Sequence, residues 1–130
     1  MPLKSILIVD DNAVIRKALK GGLESRDGFY ICGEAQDGRD AIEKAKHLTP
    51  DLIILDLSMP VMDGIEAAVV LHQLMPCVPL ILYTLHAVAG LETKASSAGI
   101  SAIVFKSEGL DKLAEQAQTL LRMITRADEK

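Results

Sequence analysis

Two acids, Asp10 and Asp11, stand immediately after the apolar run Ile6 to Val9, and a third, Asp56, stands immediately after Leu52 to Leu55. Thr84 closes the run Leu80 to Tyr83, and Lys106 closes Ala102 to Phe105. Three carboxylates, a hydroxyl and an ammonium therefore follow four separate apolar runs. Carboxylates held close repel one another, and a hard cation relieves that repulsion; an oxygen-only donor set suits Mg²⁺. A carboxylate beside such a cation is suited to attack on a phosphorus centre. The cation and the ammonium would neutralise the phosphoryl oxygens, and the hydroxyl would donate to one of them. Each residue alone has a plainer reading. Asp10 and Asp11 are good caps for a following helix, Asp56 suits a turn ahead of Pro60, Thr84 an ordinary strand end, and Lys106 a solvated surface. Their joint placement favours chemistry.

The elements that must position these groups are legible in the hydrophobic pattern. The four runs are short and continuous, as in strands buried on both faces, and a weaker fifth spans Phe29 to Cys32. Helical stripes lie between them: Val14, Ile15, Ala18, Leu19 and Leu23; then Ala41, Ile42 and Ala45; then segments 65 to 74 and 87 to 98. The clearest stripe comes last, from Leu110 through Leu113, Ala114, Ala117, Leu120 and Leu121 to Ile124. Turn residues fall between at Asp37-Gly38, Thr49-Pro50, Asp63-Gly64 and Ala98-Gly99. The pattern is βα repeated five times, an α/β fold with a five-stranded parallel sheet and helices on both faces. In such a sheet all carboxyl ends emerge at one edge, where ligand chemistry gathers.

A chain of 130 residues suits one domain, and 49% apolar with 25% charged residues excludes a disordered or low-complexity polymer. The net charge of −4 offers no basic stripe, so direct nucleic-acid binding by this segment is not expected. Cys32 and Cys77 lie 45 positions apart with no CxxC or Cys/His cluster, which points to reduced thiols rather than a zinc site or disulfide framework. Residues 67 to 91 carry no formal charge, but His72, Gln73, Pro76 and Pro79 interrupt any membrane span. The opening apolar run is too short for a signal peptide, and a cytoplasmic protein is expected.

LIVDDN at 7 to 12, PDLIILDLSMPVMDGIE at 50 to 66, Thr84 and Lys106 together resemble the receiver domain of bacterial two-component response regulators. The DLSMPVMDG segment is the most specific part, and the resemblance covers nearly the whole chain. It implies a flavodoxin-like sheet in order 2-1-3-4-5. It further implies that Asp56 accepts a phosphoryl group from a sensor histidine kinase or histidine phosphotransfer protein, and that the domain is a signalling module and not an enzyme. Asp11 and Asp56 would bind Mg²⁺ directly and Asp10 mainly through water, with the Ser58 carbonyl completing the protein ligands. Thr84 and Lys106 would hold the phosphoryl oxygens.

Three positions depart from the family's pattern. Ser107 replaces the proline that usually follows the lysine in a cis bond, Ile103 stands where an aromatic switch residue is common, and Leu85 where a small residue is usual. His86 falls at a position that the family uses to tune dephosphorylation. Leu85 would either narrow the approach to Asp56 or turn into the core. An output surface is expected from residues 87 to 98, the strand ending at Phe105 and the helix 109 to 126, with Val88 and Leu91 as apolar contacts in a homodimer or with an effector. The receiver is expected over 1–125, with a charged, frayed tail over 126–130, either stand-alone or ahead of a C-terminal effector domain. A flavodoxin would need a phosphate loop in place of Asp-Asp-Asn and more than the four aromatics present, and an aspartyl phosphatase would need a second acid where Leu57-Ser58 stands. A receiver-like binding module that takes no phosphate is the remaining alternative.

Overall fold

Leu52 to Leu55, Ile6, Leu7 and Ile8 are all at most 1% exposed, because they belong to two of the three strands that have a neighbour on each side, with helices over both faces. The computed structural model describes residues 3–128, with side chains through residue 124. Strands β1 (Lys4–Val9), β2 (Phe29–Ala35), β3 (Leu52–Leu55), β4 (Leu80–Thr84) and β5 (Ala102–Phe105) alternate with helices α1 (Ala13–Glu24), α2 (Gly38–Leu48), α3 (Gly64–Leu74), α4 (Leu91–Ser97) and α5 (Leu110–Asp128). All pairings are parallel and the order is β2-β1-β3-β4-β5, as expected. The order in which strands are added reverses between β1 and β3, so a crevice opens where those two strands end.

The period of two splits each strand between two cores. Ile6, Ile8, Ile54, Ile81, Tyr83 and Val104 pack under α1 and α5, whereas Leu7, Val9, Ile53, Leu55 and Leu82 pack under α2, α3 and α4. Helix α5 buries Leu113, Ala114, Ala117 and Leu121, the stripe its periodicity predicts. It continues into the segment expected as a tail, whose last two residues lie outside the described ones.

Four expectations are corrected. Helix α1 buries Leu19 and Leu23 with Ile15 partly covered, but Ala18 is exposed and Val14 is 76% exposed. Each residue advances about 100° around a helix, which turns positions 14 and 18 away from the face set by 15, 19 and 23. Strand β2 runs three residues past Cys32, because parallel pairing with β1 continues through a bulge opposite Ile6 and Leu7. Helix α4 starts at Leu91 and not near 87: residues 85–90 form an exposed loop that ends on Gly90 at φ +72°, a left-handed turn that suits glycine. Leu91, expected at the surface, is buried, so Val88 alone of that pair is open, at 47%.

Gly64 opens α3 against the segment that follows Asp56. Its N–H donates to the Leu57 carbonyl at 2.9 Å, and Asp63 and Glu66 close a reciprocal cap around it. A Cβ at Gly64 would sit 2.2 Å from the Asp56 carbonyl oxygen, which is backbone and cannot yield like a side chain. Gly64→Ala should destabilise by about 1–3 kcal/mol. Gly21→Ala, in the α1 interior with no atom within 4 Å of the new methyl, should gain up to ~1 kcal/mol. Urea denaturation of the two variants checks the contrast, which equal effects would contradict.

Candidate functional site

The ends of β1 and β3 are stitched together before any side chain contributes. Asp10 N–H donates to the Ala35 carbonyl at 3.0 Å and Asp56 N–H to the Val9 carbonyl at 2.9 Å, so both acids inherit the rigidity of the sheet. Helix α1 is capped by Asn12, whose Oδ1 accepts from Val14 N at 2.9 Å and Ile15 N at 3.3 Å. Asp10 and Asp11 are thereby released from the capping role that their composition also allowed.

One oxygen from each of Asp10, Asp11 and Asp56 lies within 4.8 Å of the others. Lys106 reaches into this cluster from the far side of the sheet. Its Nζ donates to Asp10 Oδ2 at 2.9 Å and stands 3.4 Å from Asp56 Oδ2. The second oxygen of Asp10 accepts from Asn12 N at 2.9 Å. Asp10 is only 2% exposed and spends both oxygens on protein donors, whereas Asp11 is exposed and its carboxylate has no protein partner among the described residues.

The electrostatics follow from three acids sharing one ammonium. Burial, then the charge of Asp10, raises the Asp56 pKa; Lys106 and the Leu57 N–H only partly oppose this. For Lys106 burial works downward, but its hydrogen bond to Asp10 and the charges of Asp56 and Asp10 outweigh it and raise the ammonium's pKa. Burial and the Asp10 charge outweigh Lys106 at Asp56, although its ammonium stands 3.4 Å away. A compact, all-oxygen, net-negative cluster of this kind fits a hard divalent cation.

Lys106 is delivered by a single 3-10 turn, Lys106–Glu108, that Glu108 ties back by accepting from Phe105 N at 2.9 Å. The Lys106–Ser107 bond is trans, and the lysine still reaches both acids. Thr84 is buried at the end of β4, in register with Phe105. Ser58 lines, with Asp11, Asp63, Glu66, Val88 and Lys94, an open groove of about 830 Å³ beside the acids. Leu85 is 59% exposed and so does not turn into the core; His86 is exposed beside it in the same loop. Ile103 is partly covered and packs on the core under α2, α3 and α4. The sequence reading missed Arg16, whose guanidinium holds the Asp10 carbonyl and the Glu34 carboxylate.

The family model for the response regulator receiver domain matches residues 6–118. The chain is 36% identical over 124 residues to a protein-glutamate methylesterase/protein-glutamine glutaminase of Caldanaerobacter subterraneus, covering 91% of this chain and 34% of that protein. It is 33% identical to the response regulator protein VraR of Staphylococcus saprophyticus, over 88% of this chain and 54% of that one. It therefore spans from a third to about half of these relatives' lengths. A LuxR-family two-component response regulator from Aurantimonas sp. SI85-9A1 superposes with a TM-score of 0.88 at 29% identity, covering 92% of this chain and 86% of the other.

Because the folded pKa of Asp56 is raised, the native state holds the Asp56 proton more tightly than the unfolded chain does. The resulting stabilisation is complete below the unfolded value, about 3.9, and is lost as pH rises through the folded value. In EDTA at neutral pH, Asp56→Asn should therefore melt above wild type, with the gap closing toward pH 3.5. Lys106→Met should melt well below it, by the ~3–5 kcal/mol expected when a buried acid loses its counter-charge. Thermal denaturation across pH measures both, and a less stable Asp56→Asn at neutral pH would contradict the charge argument.

Proposed function

The chain belongs to the response regulator receiver domain family, and from that premise we propose that Asp56 accepts a phosphoryl group from the phosphohistidine of a sensor kinase or phosphotransfer protein in the cytoplasm. The observation that carries this reading is the convergence of Asp10, Asp11 and Asp56 within 4.8 Å, with Lys106 against two of them. Asp10, Asp11, Asp56 and the Ser58 carbonyl would hold Mg²⁺. When bound, the ion neutralises charge on the carboxylates and on the incoming phosphoryl oxygens.

The chain's own residues do the rest. An Asp56 oxygen attacks phosphorus; as the O–P bond forms, the P–N bond to the donor imidazole breaks and its electron pair returns to the ring nitrogen. Attack needs the ionised carboxylate, and the raised pKa makes that oxygen, once ionised, more basic and a better nucleophile. Lys106 moves from Asp56 Oδ2 to a phosphoryl oxygen, and the Thr84 hydroxyl donates to another. The aspartyl phosphate carries about −1.5 to −2 charge in place of the carboxylate's single negative charge, so the charge grows where negative charge already dominates.

Movement of Thr84 and Lys106 is transmitted through what adjoins them in sequence. Beyond Thr84 lies the exposed loop 85–90, and beyond Lys106 the 3-10 turn that leads into α5. Ile103 is β-branched and stiff about χ1, so the signal runs chiefly through the loop and the start of α4 and not through a rotating ring. The surface made by α4, β5 and α5 would meet a second copy or an effector segment.

Incubation with acetyl phosphate and Mg²⁺ should give one phosphoryl adduct by intact mass, absent in Asp56→Asn and in EDTA; an adduct on Asp56→Asn would overturn the assignment. In Mg²⁺ titrations Asp11→Asn should lose more affinity than Asp10→Asn, since the Asp11 carboxylate is free to ligate while both Asp10 oxygens are engaged. Equal losses would count against that distinction.

A further inference from the structure

Arg16 lies one turn into α1, and its guanidinium is largely covered, with the side chain 18% exposed. Nη1 donates to the Asp10 carbonyl at 2.7 Å and Nε to Glu34 Oε1 at 3.0 Å. The Asp10 carbonyl belongs to the peptide that joins Asp10 to Asp11. Its plane sets where the Asp11 Cα lies relative to Asp10, and the Asp11 carboxylate has no protein partner of its own among the described residues. Glu34 stands near the end of the edge strand, in register with Ile8, and its carbonyl accepts from Lys44 Nζ, which also pairs with Asp40 at 3.3 Å. Arg16 thus bridges the acid-bearing peptide to a strand that is itself braced by α2.

We propose that Arg16 is a positioning residue for cation binding, anchored by Glu34 and acting through the Asp10–Asp11 peptide; the proposal rests on the reading of the acidic cluster as a Mg²⁺ site. A guanidinium suits the task because its planar fork offers two fixed donors to two acceptors, which an ammonium cannot reproduce. The two effects Arg16 could have on a cation oppose each other in sign. As a positive charge near three carboxylates it disfavours a second cation, so its removal would tighten binding. As an orienting donor it favours binding, and its removal would weaken it; outer contacts of this type are typically worth about 10- to 100-fold in metal affinity. The sign of the change therefore separates them.

The experiment is calorimetric titration of the full chain with Mg²⁺ alone, with thermal unfolding in EDTA in parallel. Arg16→Gln, Arg16→Lys and Glu34→Gln should each weaken Mg²⁺ binding about 10-fold or more. The double variant Arg16→Gln/Glu34→Gln should be no weaker than Arg16→Gln, because Glu34 acts only through Arg16. A purely structural role would lower the melting temperature of the variants and leave their Mg²⁺ affinity unchanged. That result, or tighter binding by Arg16→Gln, overturns the proposal while the cation reading stands. A wild type that takes up no Mg²⁺ overturns the cation reading and this assignment with it.

Discussion

Three carboxylates at the carboxyl edge of a parallel sheet share one ammonium, and the rest of the molecule is arranged around that imbalance. Lys106 stands 2.9 Å from Asp10 and 3.4 Å from Asp56, both buried, and one ammonium cannot balance three carboxylates, so the cluster keeps an excess of negative charge. A net-negative pocket of this kind stores electrostatic free energy that a divalent cation can release. The sheet keeps the acids from moving apart: Asp10 and Asp56 are both hydrogen-bonded to neighbouring strands through their own N–H groups. Rigidity here comes from the ladder and not from the loops, which is why the cluster persists beside exposed and irregular segments.

Around this fixed centre the fold supplies two kinds of loop. The segment after Asp56 is tightly specified, with Gly64 packed against the Asp56 carbonyl and α3 capped by Asp63 and Glu66. The loop after Thr84 is not: residues 85–90 are all exposed, and no regular element holds them until Gly90 turns the chain into α4. A change in charge at Asp56 therefore meets stiff backbone on one side and compliant backbone on the other. In the switch proposed above the β4 side of the edge would move, and Ile103, stiff and partly covered, would have a small part in that movement. Leu85 rides in the compliant loop, so its bulk can change position without disturbing the core.

Much of this was legible in the residues themselves. Continuous apolar runs followed by Asp10, Asp11, Asp56, Thr84 and Lys106 announce buried parallel strands and a polar edge, because strand period and burial act locally and the topology of βα units leaves few alternatives. The α5 stripe was equally plain. Less so was β2, where Gly33 and Glu34 interrupt the apolar run that ends at Cys32; its extension depends on a partner strand and a bulge that no local pattern encodes. The start of α4 was misjudged for a related reason: Val88 and Ala89 are compatible with helix, and only the left-handed turn at Gly90 excludes them.

What the sequence by itself determined is the set of chemical groups, the strands that carry them and the edge where they emerge, since side-chain type and hydrophobic period are properties of short segments. The tertiary structure decided how those groups share their charges and hydrogen bonds. Among three successive residues able to cap α1, the register of the helix selected Asn12 and released Asp10 and Asp11. The reach of Lys106 across the sheet gave its shorter contact to Asp10, 96 residues away in sequence. Arg16 and Glu34 are 18 positions apart and carry no mark of their pairing until β2 is laid beside β1. These are interactions between segments, and their energies depend on distances that exist only once the chain has folded.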